Sequence, residues 1–296
     1  MRNRFISSVV ALVVLSFAFI EVGEIVAAAT QRPILYPINN KPREYFELVP
    51  YDTTYNPRDF SGIWFRVGGA RGHAPELAHP DLTPEGWERM KTHHPSRTYL
   101  PDLVPATTDP INSNYPPLTC NPKGFPAIVV DDNHDHHEVV QLPTRILQLW
   151  QEERMPREIW LDGRQLPTGD DYGNIGVSWM GMSVGHWEGN TLVVETIGLD
   201  NRAWLDTFGF PKSDEARVVE RYTLTDPETL ELEQTLYDPV FYTEPWISDI
   251  KVWRKEARDA RPVNNFGWYG LFSGINDLLC APMNGGGRAS NPYGGD

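Results

Sequence analysis

The chain has 296 residues, with 26 Lys and Arg against 40 Asp and Glu and a formal net charge of −14 at pH 7. Such acidity disfavours nucleic acid and anionic membrane surfaces as partners. It favours solubility and says little about fold.

Met1-Arg2-Asn3-Arg4 precedes an apolar run from Phe5 to Ile20 and then Val26-Ala27-Ala28-Ala29. A basic start, a short apolar stretch and a small-residue site make the pattern of a secretory signal, assigned here to residues 1–29 with cleavage near Ala29. The apolar run falls short of the roughly 20 residues a spanning helix needs, and no Cys follows it to carry a lipid. The expectation is an exported protein, soluble and without stable membrane insertion after cleavage.

Residues 30–58, rich in Pro, Asn and Tyr, read as an extended arm. Phe60 to Val67 reads as a strand ending at Gly68-Gly69. Thr83 is placed to cap a short helix that Pro84 opens and that stops near His93-His94-Pro95. From 95 to 126 prolines recur too densely for long elements, which predicts an ordered but irregular wrap.

Short strands are then expected at Ile128–Val130, Glu138–Leu142, Arg145–Gln151 and Glu158–Leu161. A hairpin joins Ser183–Trp187 to Thr191–Ile197 through Glu188-Gly189-Asn190. A second joins Arg217–Leu224 to Leu230–Leu236 through Asp226-Pro227-Glu228-Thr229. A last strand is expected over Trp246–Trp253. Residues 59–255 thus form one mainly β domain, an antiparallel meander closing into a barrel or half-barrel so that no edge stays exposed. Residues 256–296 read as an irregular tail.

In the second hairpin, pairing Leu224 with Leu230 sets Tyr222 opposite Leu232, Glu220 opposite Gln234 and Val218 opposite Leu236. The apolar face then carries one carboxylate beside one amide. A buried carboxylate without a cation has a raised pKa and can act as general acid or base, which makes Glu220 the candidate catalytic residue. Glu195 on the neighbouring strand, with Arg145 or Arg221, would complete the site. The alternatives are that Glu220 faces solvent, or that an Arg neutralises it in a structural ion pair.

Ten Trp and twelve Tyr load the chain with aromatic surface. Trp179, Trp204, Tyr222 and Trp246 are candidates to line a barrel pocket for a small apolar or aromatic molecule, or simply fill a core. The loop Asp200–Asp206 reads as a lid, with Arg202 and Asp206 as polar contacts or, for Asp206, a turn cap. No phosphate loop, G-x-S-x-G elbow, H-E-x-x-H or C-x-x-C is present, which removes support for nucleotide use, an α/β-hydrolase, a zincin and a haem attachment site.

Asp131-Asp132-Asn133-His134-Asp135-His136-His137-Glu138 is the candidate metal segment. If extended, it puts His134 and His136 on one face, where two imidazoles suit Zn or Cu. His93, His94 or His186 would have to add ligands. The alternative is a solvated loop, and apart from that divalent metal no cofactor is expected. Cys120 and Cys280 are the only cysteines, and in an exported chain they can pair. An unstrained bridge across so long a loop is worth about 4–5 kcal/mol in the entropic account; the alternative is two buried thiols.

The series SGIW at Ser61, LTPEG at Leu82, CNPKGFP at Cys120, EVVQLPTRI at Glu138, IWLDGR at Ile159, MGMSVGHWEGNTLVVETIGL at Met180, WLDTFGFPKSDEARVVERY at Trp204 and DPVFYTEPW at Asp238 resembles a largely uncharacterised family of exported bacterial proteins. The resemblance covers roughly Asp59 to Trp253 and implies an antiparallel, calycin-like barrel in a periplasmic or secreted protein. It carries no reaction, substrate or catalytic residue. The His-rich segment and the tail around Cys280 depart from the family pattern. Three functions follow as expectations: a barrel binding a small apolar or aromatic molecule, an enzyme using the same pocket (through Glu220 or through a metal on His134 and His136), or a structural subunit of an envelope complex.

Overall fold

The structure, a computed structural model, describes residues 55–70, 72–73, 78–96, 98, 101–102, 105–107, 112–131, 136–150 and 155–255. The signal, the tail, Cys280 with its pairing to Cys120, and His134 lie outside these residues.

Ten strands build one sheet: β1 (Gly62–Gly68), β2 (His136–Leu142), β3 (Arg145–Trp150), β4 (Arg157–Trp160), β5 (Met182–Glu188), β6 (Thr191–Ile197), β7 (Arg217–Asp226), β8 (Thr229–Tyr237), β9 (Trp246–Ile247) and β10 (Lys251–Lys255). Neighbours pair in chain order from β1 to β9. β10 lies between β1, where Arg66 faces Trp253, and β8, where Leu230 faces Trp253. This double pairing closes a nine-strand barrel, and β9 extends β8 beside it. Closure satisfies both edges of the sheet, which explains why so many short strands hold together.

The second hairpin has the expected register: Leu224 faces Leu230, Tyr222 faces Leu232, Glu220 faces Gln234 and Val218 faces Leu236. Asp226 fixes the turn, accepting from the Glu228 N–H at 2.8 Å and the Thr229 hydroxyl at 2.7 Å. In the first hairpin Glu188 faces Thr191, so the loop is two residues and not three. Gly189 supplies the positive φ of 60° that such a turn needs at its first position.

Three further expectations are corrected. The meander is not wholly antiparallel: β4 and β5 pair in parallel, Ile159 beside Ser183. Parallel neighbours need a long crossover, here residues 161–181 with helix α3 (Gly169–Ile175). The run Ala127-Ile128-Val129-Val130 is not a strand but one helical turn, α2, buried at every residue. A short apolar run has no period to choose helix from strand; backbone bonds from Ile128 to Gly124 and from Asp131 to Ala127 decide it. Finally, Trp246–Trp253 divides into β9 and β10, because the chain leaves the lower half of β8 and rejoins its upper half.

Helix α1 (Pro84–Met90) starts where the Thr83-Pro84 pair places it, the Thr83 hydroxyl accepting from the Gly86 N–H at 3.0 Å. It docks on the segment before β9 through Thr83, which donates to the Val240 carbonyl. The β2–β3, β5–β6 and β7–β8 turns share one end of the barrel, the turn end. Helix α2, the segment 198–216 and the residues after β1 and before β9 crowd the other, the loop end.

Candidate functional site

Alternation along the strands decides what enters the bore. In β4 Arg157 shares the inward face with Ile159, while Glu158 and Trp160 point out. Gln148 in β3, Ser183 in β5, Thr196 in β6, Glu220 and Tyr222 in β7 and Gln234 in β8 point inward too, and each is buried.

These residues form one network around a buried ion pair. Arg157 makes a bidentate contact with Glu220, through Nη1 to Oε1 at 3.0 Å and through Nη2 to Oε2, and neither side chain exposes any surface. Nη1 also donates to Gln148 Oε1 at 3.1 Å, Nη2 to Thr196 Oγ1 at 2.9 Å and Nε to Ser183 Oγ at 3.3 Å. The guanidinium carbon sits 3.8 Å from the centre of the Phe125 ring. Glu220 Oε1 further accepts from Tyr222 at 2.8 Å and from Gln234 Nε2 at 3.4 Å. Burial works against the charge of Arg157, yet the adjoining carboxylate more than offsets it and holds the guanidinium above its ordinary value. Burial, reinforced by Glu220, pushes the Tyr222 phenol up.

Glu220 therefore occupies the inward position read from the sequence, but with a cation beside it. The geometry matches the ion-pair alternative: Arg157 pairs with Glu220, and both carboxylate oxygens are engaged. Arg157 is not among the site residues singled out from the sequence. The signal was there in the parity of Arg157 with Ile159. Arg145, proposed as the partner, shares the outward face with Leu147 and pairs with Glu158 at 2.6 Å. Glu195 is likewise on the outer wall, 3.0 Å from Arg217, and Arg221 pairs with Glu188 at 2.8 Å.

The bore is filled. Toward the turn end Phe60 inserts just before β1, its ring 5.3 Å from Trp187 and 6.3 Å from Tyr222. Its N–H donates to Gln141 Oε1 at 3.1 Å and its carbonyl accepts from the Trp64 indole at 2.8 Å. Beneath it remains a cavity of about 10 Å³, bounded by Val139, Ile146, Gln148, Ile159, Leu192, Tyr222 and Leu230. That is room for no more than about one water.

The proposed aromatic pocket is not assembled. Tyr222 borders that small cavity, whereas Trp204 stacks on His93 at 4.3 Å and Trp246 packs against Phe210, His73 and Tyr242. Trp179 is half-buried beneath Arg202, 4.8 Å away. Arg202 itself is held by Asp200 and is largely exposed, so it does not point into the barrel. His136 is buried with its ring stacked on Phe65 at 4.9 Å. Among the described residues no group of three or more His, Cys, Asp or Glu is placed to hold a metal ion. With His134 outside them, the His134–His136 pair falls outside the described residues as well.

Compared with protein-family models, curated proteins and solved structures, the chain has no match.

The loop end holds a second set of buried polar groups. Asp206 accepts from the Phe208 N–H at 2.9 Å and the His73 N–H at 3.3 Å. Gly72 permits this approach, since a Cβ there would stand 2.8 Å from both Asp206 Oδ2 and the Phe208 ring. Burial, with the charge of Asp131, pushes Asp206 up to about 7. Tyr115 donates to Asp131 at 3.1 Å. Lys251 Nζ donates to the carbonyls of Ala70 and Gly72 at 2.8 and 2.7 Å and pairs with Asp249. Arg66 reaches the Val130 carbonyl at 2.8 Å. These contacts tie the loops to the barrel rim, and Asp206 takes the turn-capping role, the second of the two read for it from the sequence.

Proposed function

We propose that the protein is an exported barrel that serves as a structural subunit of an envelope complex and works through its outer surface. One observation carries this reading: Arg157, Glu220 and their hydrogen-bonded partners fill the bore. The N-terminal signal pattern and the acidic charge support export and solubility. Apolar side chains on the outer wall, Ile247 at 59% and Ile250 at 49% exposure, offer contact surface beside charged neighbours. The test is a photo-crosslinking side chain at Ile247 or Ile250, activated in intact cells. Adducts of discrete mass that depend on position support the reading; their absence at every outward-facing position tried would sink it.

A second reading, binding of a small apolar or aromatic molecule, rests on Phe60. Its ring occupies the space at the turn end that such a ligand would need, over a lining that is apolar except for Gln148 and the Tyr222 hydroxyl. Binding then requires the Phe60 ring to leave that space.

A further inference from the structure

Helix α3, in the crossover between β4 and β5, buries none of its residues. A helix so short does not hold by itself, and Tyr172 is its tie to the barrel. The Tyr172 hydroxyl donates to the Asp214 carbonyl at 3.0 Å. A Cβ on Gly198 would stand 2.7 Å from Met182 Cε and 3.6 Å from the Tyr172 ring, so these two side chains meet over that glycine. Ile175 follows one helical turn after Asp171 and Tyr172, on the same side of the helix. It exposes 60%, the largest fraction of any large apolar side chain among the described residues, and Val177 just beyond it exposes 44%. Single exposed apolar side chains are ordinary, whereas a contiguous patch marks a contact surface. Here two stand within three positions, beside the half-buried Tyr172 and Met182.

Negative charge borders this patch. Asp170 and Asp171 stand exposed on the first turn of α3, and Asp214 and Glu215 stand exposed across Tyr172. The latter two lie close enough that, together with burial, their charges push the Tyr172 phenol up. Asp170 and Asp171 suit the start of a helix, but Asp214 and Glu215 lie outside every helix and strand. Among the described residues none of the four carboxylates has an ion-pair partner. The cations nearest in the chain are engaged elsewhere: Arg164 with Asp162, Arg202 with Asp200 and Arg217 with Glu195. Lys212 is fully buried.

We propose that the Ile175–Val177 end of α3, with Tyr172 and Met182, docks a lysine- or arginine-rich segment of a partner protein that lays an apolar side chain over Ile175. This rests on the outer-surface reading above and gives it a site and a partner chemistry. Other occupants fit less well. A second copy of this chain would bring the same carboxylates against one another across a two-fold interface, and an anionic membrane would meet them too. A neutral apolar segment would cover Ile175 and Val177 but leave the bordering charges unmatched. A basic amphipathic segment meets both features: the apolar pair supplies contact area, and the carboxylates set register and speed encounter.

A photo-crosslinking side chain placed at Ile175 and, separately, at Val177 of the full chain tests the face, activated in intact cells that make the protein. The adduct is digested and its partner segment read by mass spectrometry. The expected result is a partner whose crosslinked segment carries Lys or Arg beside apolar residues. Asp171→Asn with Glu215→Gln should lower the adduct yield, whereas Glu228→Gln, exposed at the turn end, should leave it unchanged. A crosslink to a second copy, to an acidic segment or to lipid would overturn the proposal, as would a yield indifferent to the double variant. Adducts at Ile247 or Ile250 with none at Ile175 or Val177 would overturn it and leave the outer-surface reading standing; none at any position removes both. If the double variant fails to fold, the identity of the segment crosslinked without it still decides.

Discussion

Replacing Arg157 with Met should destabilise the protein by about 3–5 kcal/mol, because Glu220 is then left as an uncompensated charge in the bore. The guanidinium reaches four side chains besides Phe125, so no single neighbour can replace it. Glu220→Gln should cost less than Arg157→Met, since an amide keeps the shape and accepts from Tyr222 and Arg157. The double variant Arg157→Met with Glu220→Gln should recover much of the loss, as buried ion pairs often exchange for neutral groups at little net cost. Urea unfolding of the four proteins gives the coupling energy directly. Additive losses would mean that Glu220 is stabilised by something other than Arg157.

The second large effect is acid destabilisation beginning well above the carboxylate range. Burial pushes His73 and His93 down to about 4 and His137 down to about 3, from an ordinary 6.5. Each is neutral in the fold and becomes protonated when unfolded below pH 6.5, so the stability it contributes is present above 6.5 and lost as pH falls toward 4. Asp206, raised from 3.8 to about 7, acts in the opposite sense: it holds a proton in the fold that the unfolded chain releases above about 4. Three groups against one leave a net uptake of two protons on unfolding between pH 6.5 and 4. At about 1.4 kcal/mol per proton and pH unit, stability should fall by up to about 3 kcal/mol per unit. Unfolding measured at pH 7, 6 and 5 checks the slope. His137→Phe, which keeps ring contacts with Trp150 and Trp253, should reduce it by about half; a flat profile would show that these imidazoles are not neutral in the fold.

Legibility in the sequence followed the range of the interaction. The second hairpin could be read to the residue because turn chemistry and alternation act over a few positions. The Thr83-Pro84 helix start is equally local. The inward position of Glu220 followed from the register. Its partner did not, because Arg157 stands 63 residues away in sequence and reaches Glu220 across the barrel. The parity with Ile159 would have separated it from Arg145. Ala127–Val130 misled because β-branched residues favour strands, whereas its role is to fill the loop end from all sides. The parallel β4–β5 pairing has no local signature at all: it depends on where a crossover of some twenty residues returns.

Packing explains why the aromatic load did not make a pocket. Trp204, Trp246 and Tyr222 meet different ring partners, His93, Phe210 and Phe60 in turn, and Phe60, placed before the strand that begins the barrel, takes the apolar space near Tyr222. A sequence shows which side chains face inward, but the filling of the bore depends on volumes contributed from many strands.

The closed bore is most directly tested by titrating a benzene-sized aromatic into wild-type protein and into Phe60→Ala, following the Trp187 indole by NMR. Loss of the ring should cost about 3–5 kcal/mol and leave an apolar cavity able to bind such a molecule. The account predicts no saturable shift in the wild type and a saturable shift in Phe60→Ala. Saturable binding to the wild type at this site would contradict it and favour the ligand-binding reading.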